Sequence, residues 1–272
     1  MEVAKFMGKL VPTWYYQQFD ANYDLEFAGE GYGGWKQANL PINTEKTAIV
    51  LMHAWDTGTI EQYPGWYRAV EYIPRAIDIC DNLLPDFLKK VRSSNLKLFH
   101  IASSNQIIDE YPGYAKTLEI CGGDTFKYEQ IEADETIKKL QHFRGENVIV
   151  GTHNRPDVTR GQKRLDFYPT ARPLDSEEIV CTSEQLFKLC KKYEINHLIY
   201  TGFAINMCLT VSPGGFVDMS RHGIMCSAIK QLVTAVENKE SCRHEVNKDY
   251  GLWFMTLMSG FVYDLDDIES IL

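Results

Sequence analysis

The sequence contains no stretch that approaches the ~20 consecutive apolar residues of a membrane-spanning helix. Its N-terminal segment, MEVAKFMGKLVPTWYYQQFD, also lacks the apolar run and the small-residue cleavage site of a secretory signal. We therefore expect neither export nor a membrane role, and we predict a cytoplasmic protein.

Basic residues are outnumbered. The chain of 272 residues has 28 Lys and Arg against 37 Asp and Glu, which gives a formal net charge of −9. Binding to phosphate groups on nucleic acids or anionic lipids needs a surplus of basic residues. The composition therefore argues against nucleic-acid and membrane partners.

The seven cysteines form no CxxC pair and have no zinc-finger spacing with histidine. An odd number cannot pair completely within one chain. This pattern is typical of a reduced protein whose thiols are mostly buried and behave as small apolar groups. Only a thiol in a special setting should carry a function.

A dinucleotide-binding motif of the G-x-G-x-x-G type after a strand is also missing, which argues against a cofactor-dependent oxidoreductase. The glycine-rich segment Gly29–Trp35 has no preceding strand and no following helix start. We therefore interpret residues 1–45, which are rich in aromatic residues and glycine, as an N-terminal arm, and we expect no cofactor.

From residue 47 onward the pattern is that of alternating strands and helices. Apolar runs predict strands at 47–52, 96–102, 147–150, 196–201 and 223–229, and helical spacing predicts helices at 73–94, 134–143, 182–193, from about 206, and at 240–258. The polar segment 152–176 is predicted as a loop. This alternation is typical of a mostly parallel sheet between helices, a three-layer α/β/α fold of Rossmann-like topology. At about 150 residues per domain, the length of the chain allows one or two domains. Because the sequence has no polar linker segment, we predict one domain over 46–272.

Ligands of open parallel sheets bind at the carboxyl ends of the strands. The segment after the strand 196–201 is the most informative, because Cys208 follows Gly202 by six residues and stands at a predicted helix start. Free N–H groups there would favour the thiolate and would stabilise an oxyanion. None of the other six cysteines has such a setting, although a buried structural thiol at a tight turn remains the alternative.

Gly202-Phe203-Ala204-Ile205-Asn206-Met207-Cys208-Leu209 resembles the G-x-x-T-N-x-C-V segment of the isochorismatase-like cysteine hydrolases. The resemblance extends at pattern level over roughly residues 46–265. It implies a three-layer α/β fold and hydrolysis of amide-like C–N bonds through Asp, Lys and Cys. By position, Cys208 is the nucleophile. The resemblance also implies an oxyanion hole formed by the N–H groups of Cys208 and of a residue near Ala204–Ile205, often beside a cis peptide bond.

The Asp and Lys positions of the family pattern are altered in this chain. Alignment of the first strand puts His53 at the Asp position and Trp55 at the Gln position of the family pattern, and Asp56 lies three residues after His53. Histidine is a competent base beside cysteine. His53, Asp56 or neither is therefore the base.

The Lys position has only arginine or displaced lysine as candidates. Arg172 stands 36 residues before Cys208, and Lys163 and Arg164 are further possibilities. Arginine keeps the positive charge but cannot transfer a proton. A solvated basic loop is the alternative for all three residues.

We expect substrate contacts from Trp55, Phe203, Ala204 and Asn206, and an aromatic pocket wall or ordinary core packing from Trp55, Tyr63, Trp66, Tyr67 and Phe203. Some related amidases hold zinc after the second strand, but Ser103-Ser104-Asn105-Gln106 are poor zinc ligands, so no metal is predicted.

The sequence thus predicts a cysteine hydrolase that cleaves an amide-like C–N bond of a small molecule through a thioester. The resemblance also implies a homo-oligomer, in which the arm is a candidate interface element. Because the Asp, Lys and Gln positions are altered, a catalytically impaired family member that binds a small molecule or a protein remains the alternative.

Overall fold

The computed structural model describes residues 8–123 and 130–272. In these ranges eight strands form a single sheet. The strands are β1 (Lys9–Gln17), β2 (Gly34–Ile42), β3 (Thr47–Met52), β4 (Lys97–Ile101), β5 (Glu178–Val180), β6 (His197–Gly202), β7 (Met225–Val233) and β8 (Val262–Tyr263).

The helices of the described ranges lie mostly between the strands. They are α1 (Pro64–Ala69), α2 (Ile73–Asn82), α3 (Leu84–Ser93), α4 (Pro112–Cys121), α5 (Glu135–Asn147), α6 (Arg155–Gln162), α7 (Ser183–Tyr193), α8 (Cys208–Val211), α9 (Phe216–Arg221), α10 (Val246–Met258) and α11 (Leu265–Glu269). No helix in this part of the chain is long and apolar enough to cross a membrane.

The strand order is β2-β1-β8-β7-β6-β3-β4-β5. All pairings from β8 to β5 are parallel, whereas β1 pairs antiparallel with both β2 and β8. The chain runs outward from β3 to β5 and then returns to β6 on the other side of β3. The order therefore reverses between β3 and β6, which is the place where open α/β sheets bind ligands.

Burial of β3 explains the three layers. All six of its residues are buried, and successive side chains point to opposite faces of the sheet. Ala48, Val50 and Met52 pack with α7, α9 and α10 on one face, whereas Ile49 and Leu51 pack with α2, α3 and α11 on the other. The predicted three-layer α/β/α class with a mostly parallel sheet is confirmed.

Several predicted elements agree closely with the structure. The strands predicted at 47–52, 96–102 and 196–201 are β3, β4 and β6, and α7 begins after Thr182, whose side chain accepts a hydrogen bond from the Gln185 N–H at 3.1 Å. A threonine that satisfies a free N–H at a helix start is a common helix cap.

Other elements differ from the prediction. The apolar residues at 147–150 follow α5 as a turn and form no strand, and Val148 and Ile149 are exposed. The segment 152–176 contains α6, and the predicted helix 73–94 is two helices that meet at Leu83. The helix expected near residue 206 begins at Cys208 and lasts a single turn.

The N-terminal region contributes β1 and β2 to the edge of the sheet beyond β8. Their sequences mix proline, glycine and polar residues without a clear alternation of apolar side chains, so local patterning gave no strand signal. Residues 1–7 of the arm lie outside the described ranges. The division of the chain at residue 45 stays a prediction.

Gly202 lets β3 and β6 meet at the strand-order reversal. Its φ is +108°, and an added Cβ would lie 2.0 Å from the Met52 carbonyl oxygen. We predict that Gly202→Ala lowers the free energy of unfolding by about 3 kcal/mol or more, since backbone strain and a clash with a rigid strand add together. Urea denaturation would measure the loss.

A suitable control for this substitution is Gly223→Ala. Gly223 also has a positive φ, of +77°, but a Cβ there would meet open space. Only the conformational cost of about 1 kcal/mol should remain. Equal losses for the two variants would contradict the role of the close approach at Gly202.

Candidate active site

His53 and the turn that contains Cys208 lie at the same edge of the sheet. Met52 and Gly202 are paired in register as the last residues of β3 and β6. Backbone hydrogen bonds continue just beyond the strand ends. The Phe203 N–H donates to the Met52 carbonyl oxygen at 3.1 Å, and the His53 N–H donates to the carbonyl oxygen of Ile101 at the end of β4, also at 3.1 Å. The reversal of strand order therefore brings together two segments that are 150 residues apart.

The turn from Gly202 to Cys208 is held by backbone hydrogen bonds. The Ala204 carbonyl oxygen accepts from the N–H groups of Met207 and Leu209, both at 3.1 Å, and the Ile205 N–H donates to the Thr234 carbonyl oxygen at 2.8 Å. The peptide bond between Phe203 and Ala204 is cis. The result is a compact turn that fixes the start of α8.

Asn206 ties this turn to the neighbouring loop. Its amide group donates to the Val236 carbonyl oxygen and accepts from the Val236 N–H, both at 2.9 Å. Both ends of the side chain are therefore engaged within the protein. These hydrogen bonds position the turn, and the substrate contact expected for Asn206 stays a prediction.

Three backbone N–H groups of the turn have no acceptor among the described residues, those of Ala204, Asn206 and Cys208, and two of these are at positions that the sequence suggested. Within the described ranges, neither the Ala204 N–H nor the Cys208 N–H has a hydrogen-bond acceptor. Because the Ile205 N–H is already bonded, Ala204 is the better of the two positions suggested by the sequence. Free N–H groups in a turn that also carries a thiol are the donors that an oxyanion hole requires.

Cys208 differs from the other cysteines in its surroundings. Cys80, Cys121, Cys181, Cys190 and Cys226 are buried, Cys242 is exposed, and Cys208 is partly exposed. Burial raises the pKa of the Cys80, Cys190 and Cys226 thiols to about 12. Burial, followed by the charge of the nearby Cys208, raises the pKa of Tyr72, which places this phenol in the neighbourhood of Cys208.

His53 lies directly after β3 with a positive φ of 54°. Its ring stacks on Trp55 at 4.7 Å between centroids, and Nε2 lies 3.5 Å from the Ser103 hydroxyl. Burial lowers the pKa of His53 to about 4. The imidazole is therefore neutral near pH 7, the form in which it accepts a proton.

His53, Trp55 and Phe203 line a small cavity at the strand-order reversal. The free volume is about 20 Å³, and the wall is mostly apolar. One face of α2 closes the cavity. This face consists of Tyr72, at the start of the helix, and of Ala76 and Cys80, which follow one and two turns later. The lining also includes Thr57, Trp66, Ile77, Cys80 and Tyr168.

Sequence reasoning missed Tyr72, Thr57 and Cys80 as lining residues. Tyr72, Ala76 and Cys80 follow one another at intervals of four residues, so the helical period identifies them as one face of α2. That signal shows a shared face, but only the packing of α2 shows that the face meets the loop after β3.

Asp56 lies in a different place from His53. It lines an adjoining, larger pocket of about 750 Å³. One carboxylate oxygen accepts from the Gly58 N–H at 2.9 Å, and the other lies 3.4 Å from the Arg164 guanidinium. Tyr63 and Tyr67 line this outer pocket, whereas Trp66 lines the inner cavity.

The three basic residues considered for the family's Lys position lie outside the inner cavity. Arg172 pairs with Asp166 at 3.0 Å and is about half exposed, and Arg164 pairs with Asp56. Lys163 is exposed after α6. Cys181, which follows β5 at the sheet edge, is buried, and its N–H donates to the Gln185 side-chain oxygen at 2.8 Å.

The described ranges contain no group of three or more His, Cys, Asp or Glu side chains arranged to hold a metal ion. The absence of a catalytic metal stays a prediction.

Comparison with known proteins gives structural similarities at low identity. No protein-family model matches the chain, and no curated protein sequence matches it. The fold is similar to an isochorismatase-like hydrolase from Alkaliphilus metalliredigens, with 16% identity, a TM-score of 0.44, and 83% of this chain and 98% of that chain covered.

Two further solved structures are similar to a comparable extent. An isochorismatase family protein from Desulfovibrio vulgaris has 14% identity and a TM-score of 0.46, with 83% and 97% of the two chains covered. A nicotinamidase from Acinetobacter baumanii has 13% identity and a TM-score of 0.43, with 82% and 98% covered.

Proposed function

We propose that this protein is a cysteine hydrolase of the isochorismatase-like family that cleaves an amide-like C–N bond of a small molecule. The observation that carries the proposal is the pair of free N–H groups at Ala204 and Cys208, beside a partly exposed thiol at the strand-order reversal. This arrangement supplies both a nucleophile and a site for the negative charge that its attack creates.

In the proposed reaction the Cys208 sulfur attacks the substrate carbonyl carbon, and His53 takes the thiol proton. The carbonyl oxygen becomes negatively charged and accepts hydrogen bonds from the Ala204 and Cys208 N–H groups. When the C–N bond breaks, His53 returns the proton to the leaving nitrogen, and a thioester remains on Cys208. Water then attacks the thioester, with His53 as base, and releases the acid and the free thiol.

His53 is favoured over Asp56 as the base because of their positions. His53 shares the inner cavity with Phe203 and Tyr72, whereas Asp56 lines the outer pocket and is engaged with Gly58 and Arg164. A base must reach the proton that it removes. Arg172, which pairs with Asp166, is assigned a structural role in this proposal.

A second function has its own supporting observation. The twelve residues that line the inner cavity include no lysine, arginine, aspartate or glutamate, and Cys208 is not among them. A non-catalytic protein that binds a small molecule in this cavity would share that wall. The homo-oligomer and the cytoplasmic location expected from the sequence stay predictions.

The test of the proposal is the rate of thiol alkylation. Near neutral pH, iodoacetamide at one equivalent should modify Cys208 faster than the exposed Cys242, and intact-mass and peptide analysis would locate the label. Accessibility alone predicts the opposite order, because Cys242 is exposed and Cys208 only partly so. A Cys208 that reacts no faster than the buried Cys190 or Cys226 contradicts an activated nucleophile.

A further inference from the structure

The turn after β6 is hydrogen-bonded to the segment 234–237, which follows β7 and has no helix or strand structure of its own. The Thr234 carbonyl oxygen accepts from the Ile205 N–H at 2.8 Å. Val236 exchanges two hydrogen bonds of 2.9 Å with the Asn206 side chain. Because no regular structure fixes this segment, the geometry of the turn depends on whatever else holds the segment in place.

A glutamate beside the start of α2 holds the far end of this segment. Glu71 lies two residues before the helix, and its Oε1 accepts from the Glu237 N–H at 2.9 Å. The Arg75 guanidinium donates to both carboxylate oxygens of Glu71, at 2.9 and 3.0 Å. It also donates to the Ala235 carbonyl oxygen at 3.3 Å and lies 3.0 Å from the Glu245 carboxylate. A two-point pair of this kind fixes the orientation of the carboxylate as well as its position.

The Glu237 side chain joins the same segment to α10. Glu237 is 6% exposed, and its two carboxylate oxygens accept from the N–H groups of Asn247 and Lys248 at 3.1 and 3.0 Å. N–H groups at a helix start have no acceptor within the helix, so a carboxylate there is stabilised. The helix also packs directly on the turn, since a Cβ on Gly251 would lie 2.7 Å from Ile205 Cγ2. The segment is thus held by both helices.

This network concentrates charge next to the turn and outside the inner cavity. Glu71 and Glu245 both pair with Arg75, and all three side chains are partly buried. Apolar side chains in place of a buried charge network are often neutral for stability, whereas removal of one partner leaves the other charges unpaired. Stability alone therefore does not account for the network, and a fixed geometry of the neighbouring turn does.

We propose that Glu71, oriented by Arg75, is a positioning residue that acts through Val236 and Asn206 and fixes the oxyanion donors relative to the Cys208 thiol. This inference rests on the proposed function, since it takes that thiol to be the nucleophile and the N–H groups of the turn to be the donors. The sulfur must reach the carbonyl carbon while the carbonyl oxygen meets the donors. A displacement of about 1 Å costs up to about 100-fold in rate.

Two reactions of the same thiol separate donor geometry from accessibility. Alkylation by iodoacetamide forms a C–S bond with loss of iodide and needs no oxyanion donors. In acylation by p-nitrophenyl acetate the thiolate attacks the ester carbonyl, an oxyanion forms, p-nitrophenolate leaves, and the acetyl group stays on sulfur. The ratio of the acylation and alkylation rate constants at Cys208, measured by peptide mass analysis after acid quench, therefore reports the donor geometry.

Glu71→Ala should lower this ratio at least about tenfold and change the alkylation rate by less than about threefold. Glu71→Gln keeps an oxygen that accepts from the Glu237 N–H, and its ratio should stay within about threefold of the parent. Arg75→Met keeps the apolar stem but removes the group that orients Glu71, and it should lower the ratio at least about fivefold. Arg75→Met also decides the question if Glu71→Ala does not fold.

Glu177→Ala is the matched control. The Glu177 carboxylate also pairs at two points with an arginine, Arg92, at 2.7 and 2.9 Å, and it accepts from a backbone N–H, that of Leu174 at 3.0 Å. It directly precedes β5, at the edge of the sheet. The control should lose stability in a thermal melt but keep the ratio within about twofold of the parent.

A double substitution tests the route of the effect. Asn206→Ala removes both hydrogen bonds to Val236 and should lower the ratio about tenfold by itself. Because Glu71 acts through the same contacts, adding Glu71→Ala should lower the ratio by less than about threefold more. Losses that multiply would overturn the inference. So would an unchanged ratio in folded Glu71→Ala or Arg75→Met proteins, or an equal fall in Glu177→Ala.

The proposed function fails in a different way. A parent Cys208 that is alkylated and acylated no faster than the exposed Cys242 would remove the nucleophile, and the positioning role with it. A reactive Cys208 in the parent, combined with an unchanged ratio in Glu71→Ala, would remove the positioning role and leave the hydrolase.

Discussion

Replacing Cys208 by alanine should reduce kcat/KM for any amide that the protein hydrolyses by at least about 10⁴-fold, because removal of the nucleophile abolishes the covalent route. The free N–H groups of Ala204 and Cys208 belong to the backbone, so the variant keeps the oxyanion site and should still bind substrate. Ammonia release from a panel of small primary amides and ureides would measure turnover. Mass spectrometry of the acid-quenched parent protein should detect the acyl group on Cys208.

Cys242→Ala is the matched control for this substitution. Cys242 is exposed, and its thiol lies near the Lys239 carbonyl oxygen, away from the inner cavity. The control should keep full activity. A Cys208→Ala protein within about tenfold of the parent would show that hydrolysis does not depend on this thiol.

Substituting each of the two candidate bases in turn should show which of them acts as the base in hydrolysis. His53→Gln removes the proton acceptor and should lower kcat/KM by about 10² to 10⁴-fold, the usual contribution of a general base. Asp56→Asn keeps an acceptor for the Gly58 N–H and should change kcat/KM by less than about threefold. A larger loss for Asp56→Asn than for His53→Gln would reverse the assignment.

The pH profile of kcat/KM tests the same base by a different property. The working form is the neutral imidazole, and burial lowers the pKa of His53 from 6.5 to about 4. Activity should therefore persist as the pH falls below 6.5 and decline only as it passes through about 4, where His53 takes up a proton. An acid limb centred near 6.5 would indicate a base that is solvated or that lies elsewhere.

A strand or helix could be predicted from the sequence where residues within or next to it in the chain determine its structure. The run 47–52 is apolar at every position after Thr47, as expected for a strand covered on both faces, and Thr182 caps α7 with its own side chain. Val148, Ile149 and Val150 form a similar apolar run, yet they follow α5 as a turn, and no strand among the described residues pairs with them. Apolar residues alone do not reveal whether a partner strand is present.

The candidate site divides in the same way. The spacing from Gly202 to Cys208 identified the turn, and the position of His53 after a buried strand identified a second side chain at the sheet edge. Tyr72 and Thr57 carried no comparable motif. Whether His53 or Asp56 faces the cavity depends on the path of the loop after β3, where Asp56 is drawn towards Gly58 and Arg164.

By itself the sequence determined the class of fold, the strands and helices with strong periodicity, and the turn around Cys208, because these follow from contacts between residues close in the chain. The tertiary structure alone decided that β1 and β2 extend the sheet, that strand order reverses between β3 and β6, and that Ala204 rather than Ile205 has the free N–H. It also decided which groups share the inner cavity. The physical reason is that strand pairing and cavity walls join residues from separate elements, 150 positions apart for Met52 and Gly202, and such contacts leave no local pattern in either partner.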